Sequence, residues 1–447
     1  MDPLKISVSG VRGIVGESLM PETVYEFAKA FAAYLPGPKV IATDGRPSGV
    51  DFRENVIRGL TDAASSVEDI GIAPTPTALI MVSHLKTAGG IIITASHNPS
   101  QWNGLKFISP KGMFLTQDEV DAFLAIWRDK KFSDEKTTPK RQINILSQEE
   151  VSRVHIGRIL SCVNKEEIRK RKFTVVLDSC NASGSLITQK LLKELGCKVF
   201  AIHNTPDGNF PHTPEPIPAN LGDLCTAVKE KKADMGFAQD PDADRLAIVS
   251  QEGRCIGEES TLAIACEHLL SFKSGTVVVN LSTTRAIDDI AATHGSKVVR
   301  TKIGEINVVE RMLAEKAVMG GEGNGGVILP QVVCGRDSLT AIALTLAYMA
   351  QKKESLSKAI STLPGYSMVK EKIKCPQEEV NSFLKAIENK YSAYPANTQD
   401  GIKVDFENSW VHVRASNTEP VVRIITEAPT VEEARKLFDE VKALRAS

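Results

Sequence analysis

The sequence predicts an α/β protein made of three related α/β domains with mixed, largely parallel sheets, followed by a smaller C-terminal α+β domain. Three stretches share one pattern, in which a β-branched run ends in a polar turn and a helical stretch follows. They are KVIATDGRPSGVDF from Lys39, FTVVLDSCNASGSLI from Phe173 and GTVVVNLSTTRAIDDIA from Gly275. The chain after residue 365 instead alternates into strands around one polar loop, in GIKVDFENSWVHVRASNTEPVVRIITEA.

We expect four domains, at residues 1–140, 150–255, 256–365 and 366–447. The polar stretch RDKKFSDEKTTPKRQ predicts the first joint, and Pro364 with Gly365 predicts the last one. In the closing helix, Thr430 and Glu433 form a capping box. The apolar face of that helix is expected to comprise Val431, Ala434, Phe438, Val441 and Leu444.

Composition excludes several classes of protein. The 54 basic and 55 acidic residues give a net charge of -1, which gives no sign of a nucleic-acid-binding surface. The eight cysteines form no C-x-x-C pair, so we expect reduced thiols. The longest apolar run, AIALTLAYMA, is too short to cross a bilayer, and no signal peptide is apparent. We therefore expect a cytoplasmic protein with no membrane or nucleic-acid partner.

The motif TASHNP places Ser96 just after a predicted buried strand. Ligands of α/β sheets bind beyond the carboxyl ends of strands, so the Ser96 hydroxyl is a candidate nucleophile. An ordinary turn that ends the strand is the alternative. A hydrolase elbow is excluded because G-x-S-x-G is absent, and His97, the next residue, is expected to point elsewhere and to make a poor triad base.

The motif DPDADR offers a candidate metal site. Asp240, Asp242 and Asp244 alternate in a tight loop, and three carboxylates at this spacing can bind one hard cation, with Mg²⁺ the natural choice. An EF-hand is excluded because Arg245 stands where glycine is needed and Gln251 where glutamate is needed. A solvated acidic turn is the alternative.

The motif VRASNTEPVVRI combines two guanidinium groups with several short donors around one loop, which suits a phosphate dianion. The candidate phosphate ligands are Arg414, Ser416, Asn417, Thr418 and Arg423. A hairpin loop with incidental arginines is the alternative.

The motif GEGNGG places Glu322 and Asn324 among glycines that permit close approach of a ligand, and both side chains can bind sugar hydroxyls. Read alone, it could also be a mobile turn. Two weaker candidates are Arg12, between glycines in SGVRGIVG, and Lys106, in WNGLKF. Both could face negative charge near Ser96, although such residues are more often surface cations.

Together these motifs resemble those of the α-D-phosphohexomutase family, in the family's order and across essentially the whole chain. The resemblance implies four domains around a central cleft. It implies that Ser96 is phosphorylated, and that Asp240, Asp242 and Asp244 bind Mg²⁺ together with a phosphoserine oxygen. It also implies sugar contacts for Glu322 and for Lys302 and Gly304 in TKIGEINV.

The family activity implied is interconversion of hexose 6-phosphate and hexose 1-phosphate through a hexose 1,6-bisphosphate. The resemblance places Arg12, His97, Lys106 and Arg245 close to the transferred phosphoryl group. Such transfer depends on positioning and on cationic stabilisation, so the serine needs no triad base. The expected partners are small hexose phosphates, and the protein is expected to be a monomer or a homodimer.

Two departures from the family pattern affect the predicted chemistry. Pro241 replaces a usual glycine and should stiffen the metal loop. Many relatives have G-E-x-S-G-H where this chain has Asn324 and Gly326, so proton transfer is assigned to Lys106, with His97 second. We expect a phosphoglucosamine mutase, with a broader phosphomannomutase or phosphoglucomutase as the alternative. Two alternatives belong to other functional classes. One is a non-catalytic sugar-phosphate sensor, and the other is a phosphatase.

Overall fold

The computed structural model describes residues 4–132, 142–415 and 420–446. These residues form four sheets in chain order, each with its own helices. The first three units are α/β and the last is α+β, which confirms the predicted fold class. Among the described residues, no helix is long and apolar enough to span a membrane.

The first sheet has seven strands in the order β1-β2-β6-β5-β3-β4-β7. The strands β5, β3, β4 and β7 run parallel, whereas β1, β2 and β6 pair antiparallel with their neighbours. The strands are β1 Lys5–Ser7, β2 Gly10–Ile14, β3 Lys39–Thr43, β4 Val67–Ile72, β5 Gly90–Ile93, β6 Trp102–Ile108 and β7 Ile143–Ile145. The helices are α1 Pro21–Tyr34, α2 Gly49–Asp62, α3 Thr75–Leu85 and α4 Gln117–Arg128.

The second sheet has four strands in the order β11-β10-β8-β9, in which only β11 is antiparallel. Its strands are β8 Thr174–Asp178, β9 Lys198–Ile202, β10 Met235–Gln239 and β11 Leu246–Ser250. The helices of this region are α5 Gln148–Leu160, α6 Lys165–Arg171, α7 Gly184–Glu194 and α8 Gly222–Glu230, with a 3-10 turn at Pro218–Asn220.

The third sheet repeats this plan with the order β13-β12-β14-β15, and β15 is its antiparallel strand. Its strands are β12 Thr276–Asn280, β13 Lys297–Thr301, β14 Met319–Glu322 and β15 Gly326–Ile328. Its helices are α9 Glu258–Leu270, α10 Ala286–Thr293, α11 Glu305–Glu315, α12 Ser338–Lys352 and α13 Leu356–Ile360. The apolar run noted in the sequence lies in α12, which is buried over most of its length.

The fourth sheet is antiparallel throughout, in the order β16-β20-β19-β18-β17. Its strands are β16 Ser367–Lys374, β17 Ala396–Asn397, β18 Ile402–Asp405, β19 Trp410–Ala415 and β20 Val421–Ala428. Its helices are α14 Gln377–Lys390 and α15 Val431–Ala443, followed by a 3-10 turn at Leu444–Ala446.

The predicted closing helix is present as α15. Its capping box is formed by Thr430 and Glu433, as expected. Ala434, Phe438 and Val441 are fully buried against the sheet. Val431, at the first helical position, is 53% exposed and does not share this burial.

Among the described residues, apolar packing links the first three domains but not the fourth. One apolar cluster runs continuously through the first three domains, from Val40 through Phe237 to Leu344. The fourth domain has an apolar cluster of its own around Val413, Ile424 and Phe438. Since a shared core resists relative movement, the first three domains form the rigid part of the molecule, and the fourth is joined to it more weakly.

Candidate active site

The three aspartates of DPDADR lie in the loop that joins β10 to β11. Their carboxylate oxygens lie within 4.8 Å of one another, and all three side chains are buried. Asp240 Oδ1 accepts hydrogen bonds from the backbone N–H groups of Asp244 and Arg245, both at 3.1 Å. Ala243 adopts left-handed backbone, which makes the loop tight. The solvated-turn alternative is thus excluded by burial.

The pKa values of these aspartates are shifted by burial and by the charges around them. Burial, together with the charges of Asp244 and Asp242, raises the pKa of Asp240 well above its usual value. Burial would also raise the pKa of Asp242, but the Lys106 ammonium at 2.6 Å and the Thr75 hydroxyl at 2.6 Å lower it. Cations of the protein therefore keep Asp242 ionised, whereas Asp240 would need further positive charge to be ionised.

The donor set fits a divalent cation. Asp242 Oδ1 and Asp244 Oδ1 are buried and have no hydrogen-bond partner within the described part of the chain. Unpaired buried carboxylate oxygens are costly unless a cation satisfies them. Hard oxygen ligands of this kind suit Mg²⁺ better than metals that prefer nitrogen or sulfur.

Ser96 lies directly beside this group, in the loop after β5. Its side chain is buried, and its Oγ lies 3.3 Å from Asp240 Oδ2. The residue has a φ of 53°, a conformation that few non-glycine residues adopt and that often marks functional loops. Ser96 therefore lies next to the candidate metal site.

His97 lies closer to Ser96 than the sequence suggested. The expectation that adjacent side chains diverge was wrong, because the turned backbone at Ser96 brings His97 Nδ1 to 3.4 Å from Ser96 Oγ. Burial and the guanidinium groups of Arg245 and Arg12 hold the pKa of His97 well below its usual value. The imidazole is therefore neutral at neutral pH.

The loop that carries Ser96 is held by one buried guanidinium group. Arg46 donates from Nη2 to the carbonyl oxygens of Ser96 at 2.6 Å and Asn98 at 2.7 Å. From Nη1 it donates to the carbonyl oxygens of Pro99 and Trp102. Its Nε is paired with Asp44 at 2.9 Å. We call this arrangement the Arg46 clamp, and it fixes the backbone of residues 96–102.

A cleft of about 630 Å³ opens beside these residues, with walls from all four domains. Its lining includes the predicted site residues Arg12, His97, Arg245, Glu322, Asn324, Arg414 and Arg423. Lys106 lies behind it, buried against Asp242 and Asp244, and these carboxylates raise its pKa although burial opposes them. Lys302 is exposed, and its neighbour Ile303 lines the cleft.

Glu322 is positioned by three donors. Its Oε1 accepts from Asn280 Nδ2 at 2.9 Å and from the backbone N–H of Gly304 at 3.2 Å. Its Oε2 accepts from Arg336 Nη1 at 2.8 Å. At Gly323 the space that a side chain would need is taken by the protein itself, because a Cβ there would lie 2.0 Å from a Glu259 carboxylate oxygen.

The far wall of the cleft is a basic surface of the fourth sheet. Arg414 on β19 lies opposite Arg423 on β20, which in turn lies opposite Lys372 on β16. Lys370 also lines the cleft and pairs with Glu259 of the third domain at 2.8 Å. The predicted residues Ser416, Asn417 and Thr418 lie outside the described residues.

Arg336 connects the three-aspartate group to the GEGNGG loop. This buried guanidinium group donates to Asp244 at 2.7 Å and to Glu322 at 2.8 Å, and its Nε donates to Glu305 at 3.2 Å. A Cβ added to Gly326 would lie only 2.2 Å from Arg336 Cδ. Arg336 therefore occupies the space into which a side chain at position 326 would project.

Sequence reasoning missed several residues that the structure brings to this site: Arg46, Glu305, Arg336, Lys370 and Lys372. The sequence did contain an indication for Arg46, because this residue stands in the polar turn directly after a predicted strand. The lysines alternate in SMVKEKIK, as on one face of a strand. Arg336 follows an irregular stretch and offers no local pattern.

Comparison with known proteins agrees with this geometry. The four successive phosphoglucomutase/phosphomannomutase domain models, the alpha/beta/alpha domains I, II and III and the C-terminal domain, match residues 4–134, 153–253, 258–366 and 368–444. A phosphoglucomutase/phosphomannomutase of Thermococcus kodakarensis is 38% identical over 445 residues, 96% of each chain. A probable phosphoglucosamine mutase of Methanopyrus kandleri is 36% identical over 97% of this chain and 95% of that one.

Among solved structures, a phosphoglucomutase/phosphomannomutase family protein from Burkholderia thailandensis superposes with a TM-score of 0.86 at 25% identity, covering 98% of this chain and 97% of that one. The fold, the order of the motifs and the full-length similarity define a phosphohexomutase. The chain belongs to the α-D-phosphohexomutase family.

Replacing Arg46 by methionine should lower the unfolding temperature and cost about 3–5 kcal/mol of stability, because buried Asp44 loses its partner and four carbonyl oxygens lose a donor. Differential scanning calorimetry measures the change. The exposed Arg153→Met on α5 is the matched control and should unfold like the unmodified protein. Equal transitions for the two variants would show that the clamp carries no stability.

Proposed function

We propose that the protein interconverts hexose 6-phosphates and hexose 1-phosphates through phosphorylated Ser96, and that glucosamine phosphate is its preferred substrate. The observation that supports this most directly is the position of Ser96, whose Oγ lies 3.3 Å from the buried aspartate group at the edge of a cleft with a basic far wall. A hexose bisphosphate needs both features, one at each end.

In the proposed cycle, a hydroxyl oxygen of the hexose monophosphate attacks the phosphoryl group on Ser96. The P–O bond to Ser96 breaks, a P–O bond to the sugar forms, and the hydroxyl proton passes to a base in the cleft. The 1,6-bisphosphate then turns round and returns its other phosphoryl group to Ser96, with the proton going back to the product hydroxyl.

Asp240, Asp242 and Asp244 would hold Mg²⁺ together with a phosphoserine oxygen. When bound, the ion would neutralise negative charge that develops on the phosphoryl oxygens. Arg12, Arg245 and Lys106 supply further positive charge from the protein itself. Because its raised pKa keeps Lys106 protonated, we assign it this role of cation.

His97 takes the role of proton acceptor in this proposal, which reverses the order expected from the sequence. Its imidazole is neutral and lies 3.4 Å from Ser96 Oγ, whereas the Lys106 ammonium has no free lone pair. A neutral imidazole that lines the cleft can accept the proton of a bound sugar hydroxyl, and the lowered pKa of His97 makes it a weaker base than a free histidine.

The basic wall of the fourth domain would bind the phosphate group that does not react. Arg414 and Arg423 face the cleft from adjacent strands, and two guanidinium groups can hold a phosphate dianion by paired hydrogen bonds. Ser416, Asn417 and Thr418 follow Arg414 directly in the chain, and we propose that they complete this phosphate site. Glu322, Asn324, Gly304 and Lys302 are the proposed sugar-facing residues.

Turning the bisphosphate round requires room, which we propose comes from rotation of the fourth domain about Pro364 and Gly365. The fourth domain has its own apolar core, and its described contacts with the third include polar pairs such as Lys370 with Glu259 and Ser282 with His412. The Lys370 side chain is 37% exposed, and partly exposed ion pairs of this kind can break and re-form in water at little cost. The domain boundaries 1–140, 150–255, 256–365 and 366–447 remain part of this proposal.

The choice of glucosamine phosphate is supported by relatives such as those of Methanopyrus kandleri and Pyrococcus abyssi, each named probable phosphoglucosamine mutase, at 36% and 34% identity. The Thermococcus kodakarensis relative, at 38%, is named phosphoglucomutase/phosphomannomutase and supports broader specificity as the second candidate. The sensor and the phosphatase have less support than a mutase. A protein that only senses sugar phosphates, for example, needs no nucleophile.

We expect purified protein supplied with Mg²⁺ and a trace of the matching 1,6-bisphosphate to turn over glucosamine 6-phosphate faster than glucose 1-phosphate or mannose 1-phosphate. Coupled assays measure the three rates, and removing Mg²⁺ should abolish them all. Comparable rates on glucose and mannose would establish the broad mutase instead. No rate on any sugar would favour the sensor, and stoichiometric phosphate release would favour the phosphatase.

Ser96→Ala should abolish turnover while sparing sugar-phosphate binding, because it removes the oxygen that carries the phosphoryl group. Intact-mass measurement after incubation with the bisphosphate should show one added phosphoryl group on the unmodified chain and none on the variant. Ser100→Ala, at an exposed position of the same loop, is the matched control and should retain both activity and phosphorylation. A phosphorylated, active Ser96→Ala protein would refute the mechanism.

Arg336→Lys should lower kcat/KM by at least about tenfold, because lysine cannot reach Asp244, Glu305 and Glu322 together and one charged hydrogen bond is worth about 1.5–3 kcal/mol. Steady-state kinetics give the change, and circular dichroism checks the fold. Arg158→Lys is the control, since Arg158 is partly buried and binds Val332 and Ser83 outside the cleft. An unchanged kcat/KM for Arg336→Lys would remove this residue from the site.

A further inference from the structure

A second group of metal-binding side chains lies in the second domain. Asp178 ends β8, His203 follows β9, and His212 lies in the segment between β9 and α8. Asp178 Oδ2 lies 3.0 Å from His203 Nδ1 and 3.1 Å from His212 Nε2, and the three atoms lie within 4.8 Å of one another. The cleft lining, among the described residues, does not include these three side chains.

The hydrogen bond on the other side of His212 determines which of its nitrogens is free. His212 Nδ1 lies 2.9 Å from the carbonyl oxygen of Thr213, which can only accept, so Nδ1 carries a proton. In a neutral ring, the Nε2 lone pair then points at the Asp178 carboxylate and is repelled by it. The arrangement is satisfied by a second proton on His212 or by a cation between the two groups.

The surroundings have the features of a metal site. Asp178 is buried, and its Oδ1 accepts from the backbone N–H of Cys180 at 2.9 Å, which fixes the orientation of the carboxylate. The Thr213 contact does the same for His212, as is usual for metal-binding histidines. The side chains of His203 and His212 are 20% and 15% exposed, which leaves an entry path and room for water ligands.

We propose that Asp178, His203 and His212 form a second metal site, for a borderline transition-metal ion such as Zn²⁺. Two imidazole nitrogens with one carboxylate oxygen suit such an ion, whereas Mg²⁺ and Ca²⁺ prefer oxygen ligands alone. Protons compete for the same nitrogens. Asp178 raises the pKa of His203, and it outweighs burial to raise the pKa of His212, so metal binding weakens as the pH falls.

Such an ion would act on the phosphoserine loop through the Arg46 clamp. It would fix both ends of segment 203–212, which packs directly on Arg46. A Cβ on Gly208 would lie 2.5 Å from Arg46 Cα, and the Arg46 guanidinium carbon lies 4.8 Å from the centre of the Phe210 ring. The site would thus stabilise the contact between the second domain and the residue that holds the Ser96 loop.

The test uses the full-length protein, stripped with a chelator and then kept in excess Mg²⁺ so that the three-aspartate group is saturated. Titration with Zn²⁺ against a chromophoric chelator should show one bound zinc ion per chain. His212→Gln and His203→Asn should each lose it. His294→Gln is the matched control, because His294 also pairs with a carboxylate, that of Glu267 at 2.9 Å, outside the group, and it should bind zinc like the unmodified protein.

A second measurement needs no variant. Cu²⁺ added to the unmodified protein in excess Mg²⁺ should give an electron paramagnetic resonance spectrum with splitting from two imidazole nitrogens, which the three aspartates cannot supply. No zinc uptake, unchanged uptake in both histidine variants, or a copper spectrum with oxygen ligands alone would each overturn the proposal. Because these readouts record metal binding and not turnover, they are independent of the proposed mutase activity.

Discussion

Three buried carboxylates within 4.8 Å of one another impose the constraint on which the rest of the site depends. Their mutual repulsion and loss of hydration must be compensated by positive charge, and the chain brings that charge from different domains. Lys106 comes from the first domain and Arg336 from the third, while the aspartates belong to the second. Charge compensation therefore joins the three α/β domains at one point, and their continuous apolar core holds them there.

The need for charge compensation also determines how the residues around the three aspartates are arranged. Arg336 can reach Asp244 only because its remaining donors are satisfied by Glu305 and Glu322. Glu322 in turn is held by Asn280 at the end of β12. The GEGNGG loop and the three-aspartate loop thus share one hydrogen-bonded network.

Much of this could be predicted from the sequence because the information was local. A β-branched run followed by a polar turn and a helix predicts an α/β unit, and alternate aspartates predict a metal loop. The Arg46 clamp and the Arg336 network could not be predicted, since each depends on contacts between residues far apart in the chain. His97 shows the limit at short range, where the turned backbone of one residue brings two adjacent side chains together.

The close contact between Gly326 and Arg336 has an evolutionary consequence. The space at this point holds either the arginine or a side chain on residue 326, because a Cβ there would overlap the arginine stem at 2.2 Å. A lineage that acquires histidine at the end of the sugar loop must therefore shorten or displace the arginine, and single-step intermediates are sterically disfavoured. We therefore expect the residues at these two positions to vary together across the family.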